Sequence, residues 1–279
     1  MSCFLAEHLS KMPGRGTIFA HADLPELLAT EHEICPHPFI SDLGKWDEDL
    51  IRLEGYLPHK PLGTRPHSCV FSHMVGIGLK ERGYAYVSQA QNLYSTHLEP
   101  FRHPWGIWEL PIYYMDNMDF WMCKNWPDSK HEPFGQDIIE QAVLGDRLFV
   151  FDIHPLHVAL NTRSHEDYVA VKELVVTQRQ SPFDHAFPGK GTRDFFGRLC
   201  SRMHEEGVRS HTCSEVLLAY GCLYEGEGNR AVCVRLCAGA SVPDRDSCLA
   251  AAVPAPNSVR RPLEQPLGWN ADHQYGDQR

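Results

Sequence analysis

The sequence predicts an α/β fold, a largely parallel sheet covered by helices, on three observations. Strand-like runs alternate with helical spacings along most of the chain, those runs are near-continuously apolar, and glycines fall where the helical spacings stop. Either a barrel or a doubly wound sheet satisfies that pattern, and 279 residues suffice for one such domain with a tail.

Gly16 to Ala20 (GTIFA) reads as a short buried strand, followed by a helical turn or two from Leu24 to Thr30 with Asp23 as its N-cap. His32 to Phe39 (HEICPHPF) ends a second strand. A helix is expected over Asp47 to Tyr56, where Leu50 and Leu53 share a face and Pro58 and Pro61 stop it. Gly63 to His67 forms a third strand. Val75 to Arg82 is helical and ends at Gly83, leading into the strand Tyr84 to Ser88. Ile107 to Tyr114 (IWELPIYY) and Leu148 to Ile153 (LFVFDI) are further apolar strands, with a helix from Phe134 to Leu144 between them. Arg193 to Glu206 forms a last helix capped by Gly207, and Arg209 to Leu217 is expected to supply a final strand and turn. From Glu225 onward periodicity disappears, and a disordered tail to Arg279 is expected.

A formal charge of −10 argues against a nucleic-acid or anionic-membrane partner, because phosphate lattices attract basic surfaces. No apolar run is long enough for a transmembrane segment and no leader pattern opens the chain, so a cytoplasmic protein is expected. The 10 cysteines show no C-x-x-C pair and read as small buried hydrophobes. Histidine is the more telling residue, with 17 copies in an acidic chain, since imidazole both binds zinc and moves protons near neutral pH.

Parallel α/β barrels gather their chemistry at the C-terminal ends of strands. Four such places carry useful groups: His32 to His37, Arg65 to His67, Asp116 to Trp121, and His154 with His157. Each also has a plain structural explanation. His37 and His154 each precede a proline, which favours an extended turn, and Arg65 can simply pair with a carboxylate. Asp116, Asp119 and Trp121 can cap a loop and close a pocket with an aromatic lid.

In this order the segments HEICPHPFIS, GTRPHS, ELPIYYMDNMDFW and FVFDIHP resemble the NodB-type polysaccharide deacetylases, in particular a divergent branch with an E-I-x-x-H-P segment, and the likeness runs from about Gly16 to Leu217. The resemblance implies an incomplete (β/α) barrel over residues 1–224 and a tail over 225–279. It also implies a hydrolase that removes acyl groups from amino sugars, with a carbohydrate substrate and a divalent metal, zinc, as cofactor. His37 would then be a metal ligand, His154 the general acid, and Arg65 the residue that orients a carboxylate. Asp116 or Asp119 would hold a neighbouring cationic group, while Trp121 and His67 would face the sugar.

Two departures from the family pattern shape the remaining expectations. The family's first motif, a strand ending in paired aspartates, should precede GTIFA, yet Met1 to Arg15 contains no aspartate, so the barrel is expected to lack its first strand. The second metal histidine, four residues after His37, is replaced by Ser41, and Asp42 beside it is the expected substitute because a carboxylate oxygen can bind zinc. A catalytically inactive glycan-binding or scaffold protein is therefore the alternative function, and an unrelated α/β protein the third. The sequence leaves the oligomeric state open.

Overall fold

Parallel pairing begins at β1 (Thr17–Ala20) and β2 (Glu33–Pro36), which run in register from Thr17 opposite Glu33 to Ala20 opposite Pro36. The computed structural model describes residues 7–23, 27–28, 30–40, 42–122 and 131–221. The helical turn expected at 24–30 and the tail expected from Glu225 fall wholly or mainly outside those residues.

A second ladder orders its strands β3-β4-β6-β5, from β3 (Gly63–Thr64), β4 (Tyr86–Val87), β5 (Phe101–Arg102) and β6 (Trp108–Glu109). Only β5 is antiparallel in it. The third ladder pairs β7 (Tyr114–Met115) with β8 (Phe151–Asp152) in parallel. These ladders do not close into one barrel among the described residues, but hydrogen bonds join them. Arg65 N–H donates to Pro36 O (3.2 Å) and His67 N–H to Pro38 O (2.9 Å), tying β2 to β3, and Gln91 bridges Ile112 in parallel. The fold is mixed α/β, as the apolar runs predict.

Ladders are shorter than the apolar runs because of proline. Ile107 to Tyr114 splits into β6 and β7 around Pro111, which has no N–H to donate, and Gly63 to His67 stops before Pro66. Helices match the expected spacings more closely: α1 (Glu48–Glu54), α2 (His73–Glu81), α4 (Gln136–Leu144) and α7 (Thr192–Glu205) lie where the periodicity puts them. Ser72 caps α2 by accepting from Val75 N–H, and Gly83 follows with φ of +84°, the left-handed conformation that glycine tolerates best.

Other helices depart from expectation. Asp116 and Asp119 lie in the first turn of α3 (Asp116–Met122), where carboxylates suit the helix dipole, and not in a loop. The stretch after His154, to which no periodicity assigns an element, folds as α5 (Pro155–Leu160), α6 (His165–Lys172) and a wide turn at Glu173–Thr177. The final strand and turn expected over Arg209 to Leu217 are corrected. Only Ser210 makes a bridge, to Gly14, and α8 (Cys213–Ala219) follows at once. Thr212 and Glu215 form a reciprocal capping box there, so a helix start signal outcompetes the short apolar run. None of the helices among the described residues is long and apolar enough to cross a membrane.

One core gathers Tyr86, Leu110, Tyr113, Tyr114, Ile139 and Phe195, and a second gathers Leu50, Val75, Leu79, Tyr84, Val87 and Ile107. The Tyr86 ring lies directly over Gly63, where an added Cβ would stand 2.0 Å from a ring carbon, and its hydroxyl meets Cys35 Sγ at 3.4 Å. Gly63→Ala is therefore expected to overpack this seam and cost about 1–3 kcal/mol. A lower urea midpoint at unchanged m-value is the readout, and an unshifted midpoint would contradict the tight approach.

Candidate active site

Two imidazoles meet where β2 and β3 end. The His37 N–H continues the β1–β2 ladder by donating to Ala20 O at 2.7 Å, which turns the ring toward β3. There Nδ1 lies 2.7 Å from the Arg65 carbonyl. A carbonyl only accepts, so Nδ1 carries the proton and Nε2 presents a lone pair. That lone pair faces His67 Nδ1 at 3.2 Å. Burial, opposed in part by the Arg65 carbonyl, lowers the His37 pKa to about 4. His67 is lowered as well, by burial and by the nearby charges of His154 and His21. Its ring packs on Phe39 with centroids 4.2 Å apart.

Arg65 spends every side-chain nitrogen on structure. Nε donates to Ser88 O (2.6 Å), Nη2 to Ser88 Oγ (2.7 Å), and Nη1 reaches Asp152 Oδ1 (2.7 Å). Phe19 lies against the guanidinium at 4.4 Å. Three strand ends are thereby locked to one cation, the geometry that the planar guanidinium supplies and lysine does not. The carboxylate that Arg65 orients is Asp152, which the sequence argument passes over. Strand alternation could have found it, since Asp152 and His154 are two apart and so share a face of β8 and its extension.

His154 follows β8, and Asp116 opens α3 after β7. Asp116 is completely buried, and its Oδ1 lies 2.6 Å from His154 Nδ1 while its Oδ2 accepts the His154 N–H at 2.9 Å. Burial alone would lower the His154 pKa, but the charge and hydrogen bond of Asp116, helped by Asp152, raise it to about 9. Burial likewise pushes Asp116 up, and His154 overrides it, so the carboxyl stays below its ordinary value. The pair is an imidazolium on a carboxylate, with Nδ1 committed and the ring still partly open to solvent. One turn further, His157 is lowered to about 4 by burial, and its Nδ1 lies 3.1 Å from Thr162 Oγ1.

The sequence-predicted groups thus separate into two sets. His37, His67 and Arg65 are joined by hydrogen bonds, and Arg65 reaches Asp152, two residues before the His154 that Asp116 holds. Asp119 does not join them. Its carboxylate is fully buried and accepts from Tyr94 Oη (2.7 Å), Tyr114 Oη (3.1 Å) and Phe134 N–H (2.7 Å), with His131 Nε2 at 2.6 Å. So saturated a group anchors the chain after α3 and has no lone pair to spare for chemistry. Trp121, 48% exposed, stacks on His165 with centroids 4.7 Å apart and planes 8° from parallel, and offers an open aromatic face.

Asp42 is exposed and lies with Phe39, Lys45, Glu48, Asp49 and Arg52 on a surface groove, its Oδ1 accepting the Gly44 N–H at 2.8 Å. Ser41 lies outside the described residues. The expected ligand set of His37 with Asp42 therefore does not fit a metal, and among the described residues no three His, Cys, Asp or Glu side chains are grouped as a metal ion would need.

The family model described as WbmS-like polysaccharide deacetylase matches residues 17–172, more than half of the chain. Among solved structures, the chain is similar to the Bordetella bronchiseptica protein assigned as a polysaccharide deacetylase involved in O-antigen biosynthesis. Identity is 21%, the TM-score is 0.57, and the match covers 72% of this chain and 84% of that one. A Mycobacterium smegmatis protein assigned as a polysaccharide deacetylase matches at 16% identity and a TM-score of 0.45, covering 77% of this chain and 74% of that one. No curated protein matches the sequence.

Proposed function

Because this chain belongs to the WbmS-like polysaccharide deacetylase family, we propose that it removes acyl groups from amino sugars of a polysaccharide, with His154 as the general acid. We place the deacetylase unit at residues 1–224, as an incomplete (β/α) barrel whose strand ends carry the site. One observation supports this best: a buried carboxylate, Asp116, holds His154 through Nδ1 and keeps the imidazole protonated.

Cleaving an amide requires the departing nitrogen to take up a proton, because a free amide anion is too basic to leave. An imidazolium with Nδ1 fixed can deliver only from Nε2, so Asp116 sets the direction of transfer as well as the charge. Arg65 holds Asp152 near His154, where the Asp152 charge favours the protonated imidazole and the Arg65 charge opposes it in part. Trp121 supplies a flat apolar face suited to stacking a sugar ring, backed by His165.

Release of acetate from an N-acetylated amino-sugar polymer tests the proposal. His154→Ala is expected to lower kcat per folded molecule by about 10²- to 10⁴-fold. Unchanged kcat in that variant would remove His154 from the reaction. The alternative is a glycan-binding protein without catalysis, favoured by the lack of a three-ligand metal group among the described residues. Under that alternative, sugar binding survives chelator, Trp121→Ala abolishes it, and no acetate appears.

A further inference from the structure

We propose that the groove floored by Phe39 is a subsite for a second, non-reacting sugar unit, so that the reacting unit is recognised together with its neighbour in the chain. The subsite deepens the proposed action on a polysaccharide and rests on it for the identity of the occupant.

The floor of the groove is fixed. The Phe39 N–H donates to Asp49 Oδ2 at 2.8 Å, and Arg52, on the same helix α1, donates from Nε to Asp49 Oδ1 at 2.8 Å and from Nη2 to the His21 carbonyl at 3.3 Å. The ends of β1 and β2 and helix α1 are thereby tied around one aromatic residue. Its ring rests on two imidazoles, tilted 37° on His67 with centroids 4.2 Å apart and edge-on to His21 at 6.1 Å. Phe39 is nevertheless 47% exposed. A ring so held has little freedom left to lose, and it offers a flat apolar face to the C–H groups of a sugar.

Position supports the same reading. Phe39 joins the candidate active site through His67, and it also lines a groove of ≈ 410 Å³ with Asp42, Lys45, Glu48, Asp49 and Arg52. Ligand clefts occupy about 300–1,000 Å³ and combine apolar surface with a few polar groups that fix orientation. Lys45 Nζ stands 3.6 Å from Glu48 Oε1 with side chains 65% and 67% exposed, so their pairing is weak and both ends can turn to sugar hydroxyls. Three carboxylates against two cations disfavour an anionic unit such as a uronate and suit a neutral or ammonium-bearing sugar. Contacts to a non-reacting unit help orient the reacting one, so occupancy of the groove raises kcat/KM for longer chains.

Acetate release from N-acetylglucosamine and from its β-1,4-linked tetramer is measured on the full chain, and binding of both sugars is followed by calorimetry. The wild type should favour the tetramer in both measurements. Phe39→Ala should weaken tetramer binding and lower the tetramer-to-monomer ratio of kcat/KM, each by about 3- to 10-fold. Phe39→Leu, which keeps apolar bulk without a ring and guards against misfolding of the alanine variant, should do the same, and Phe39→Trp should restore both. A ratio that stays at the wild-type value in the alanine and leucine variants overturns the subsite even if both rates fall, because lost support for His67 slows the two substrates alike. A wild type with no preference for the tetramer in either measurement overturns it as well. Phe39-dependent tetramer binding without acetate release leaves the subsite standing and removes the deacetylase proposal. Acetate release at a ratio indifferent to Phe39 does the reverse.

Discussion

Asp116→Asn is expected to lower kcat for acetate release by about 10²- to 10⁴-fold and to move the alkaline limb of the pH profile downward. In the native protein the acid form of His154 persists until pH approaches its raised value of about 9, so activity holds through neutrality and falls above that point. An asparagine keeps the shape but not the charge, and it can present its NH₂ to Nδ1 in place of an acceptor, which favours the wrong tautomer. The same pair links stability to pH. Because folding raises the His154 pKa above its ordinary 6.5, the pair's contribution is fully present below about pH 6.5, down to the acid range in which Asp116 itself takes up a proton, and is lost as pH rises through about 9. The wild-type advantage in Tm over Asp116→Asn should therefore be largest below pH 6.5 and shrink toward pH 9. A constant difference across that window would show that the imidazolium is not the charge Asp116 holds.

Asp119→Ala, three residues along the same helix, is expected to do the opposite, costing stability and not chemistry. Tyr94, Tyr114, His131 and the Phe134 N–H all converge on its carboxylate, and removing it leaves buried donors without that acceptor. A loss of about 3–5 kcal/mol is expected. Urea unfolding gives the midpoint, and kcat per folded molecule should stay within about threefold of wild type, well short of what loss of an acid–base group costs. A stable Asp119→Ala protein with collapsed kcat would return Asp119 to the site.

These two carboxylates show where sequence reasoning stops. Both follow the same apolar strand and occupy the first turn of α3, and nothing in their spacing says which faces His154 and which faces the loop at 131–134. His67 and His37 are 30 positions apart, and hydrogen bonds between β2 and β3, among them Arg65 N–H to Pro36 O and His67 N–H to Pro38 O, bring their rings together. Asp42 neighbours the missing histidine position in sequence, and its Oδ1 accepts the Gly44 N–H.

From residues alone came the α/β alternation, the bounds of four helices to within a few residues, and the strand ends where His37, Arg65 and His154 stand, because periodicity and prolines act locally. Tertiary structure decided the partners: Asp152 for Arg65, Asp116 for His154, and an aromatic cage for Asp119. Partnership between groups tens of residues apart depends on strand register and on which side chain a buried charge can reach. Neither quantity exists until the ladders have formed and water has been excluded.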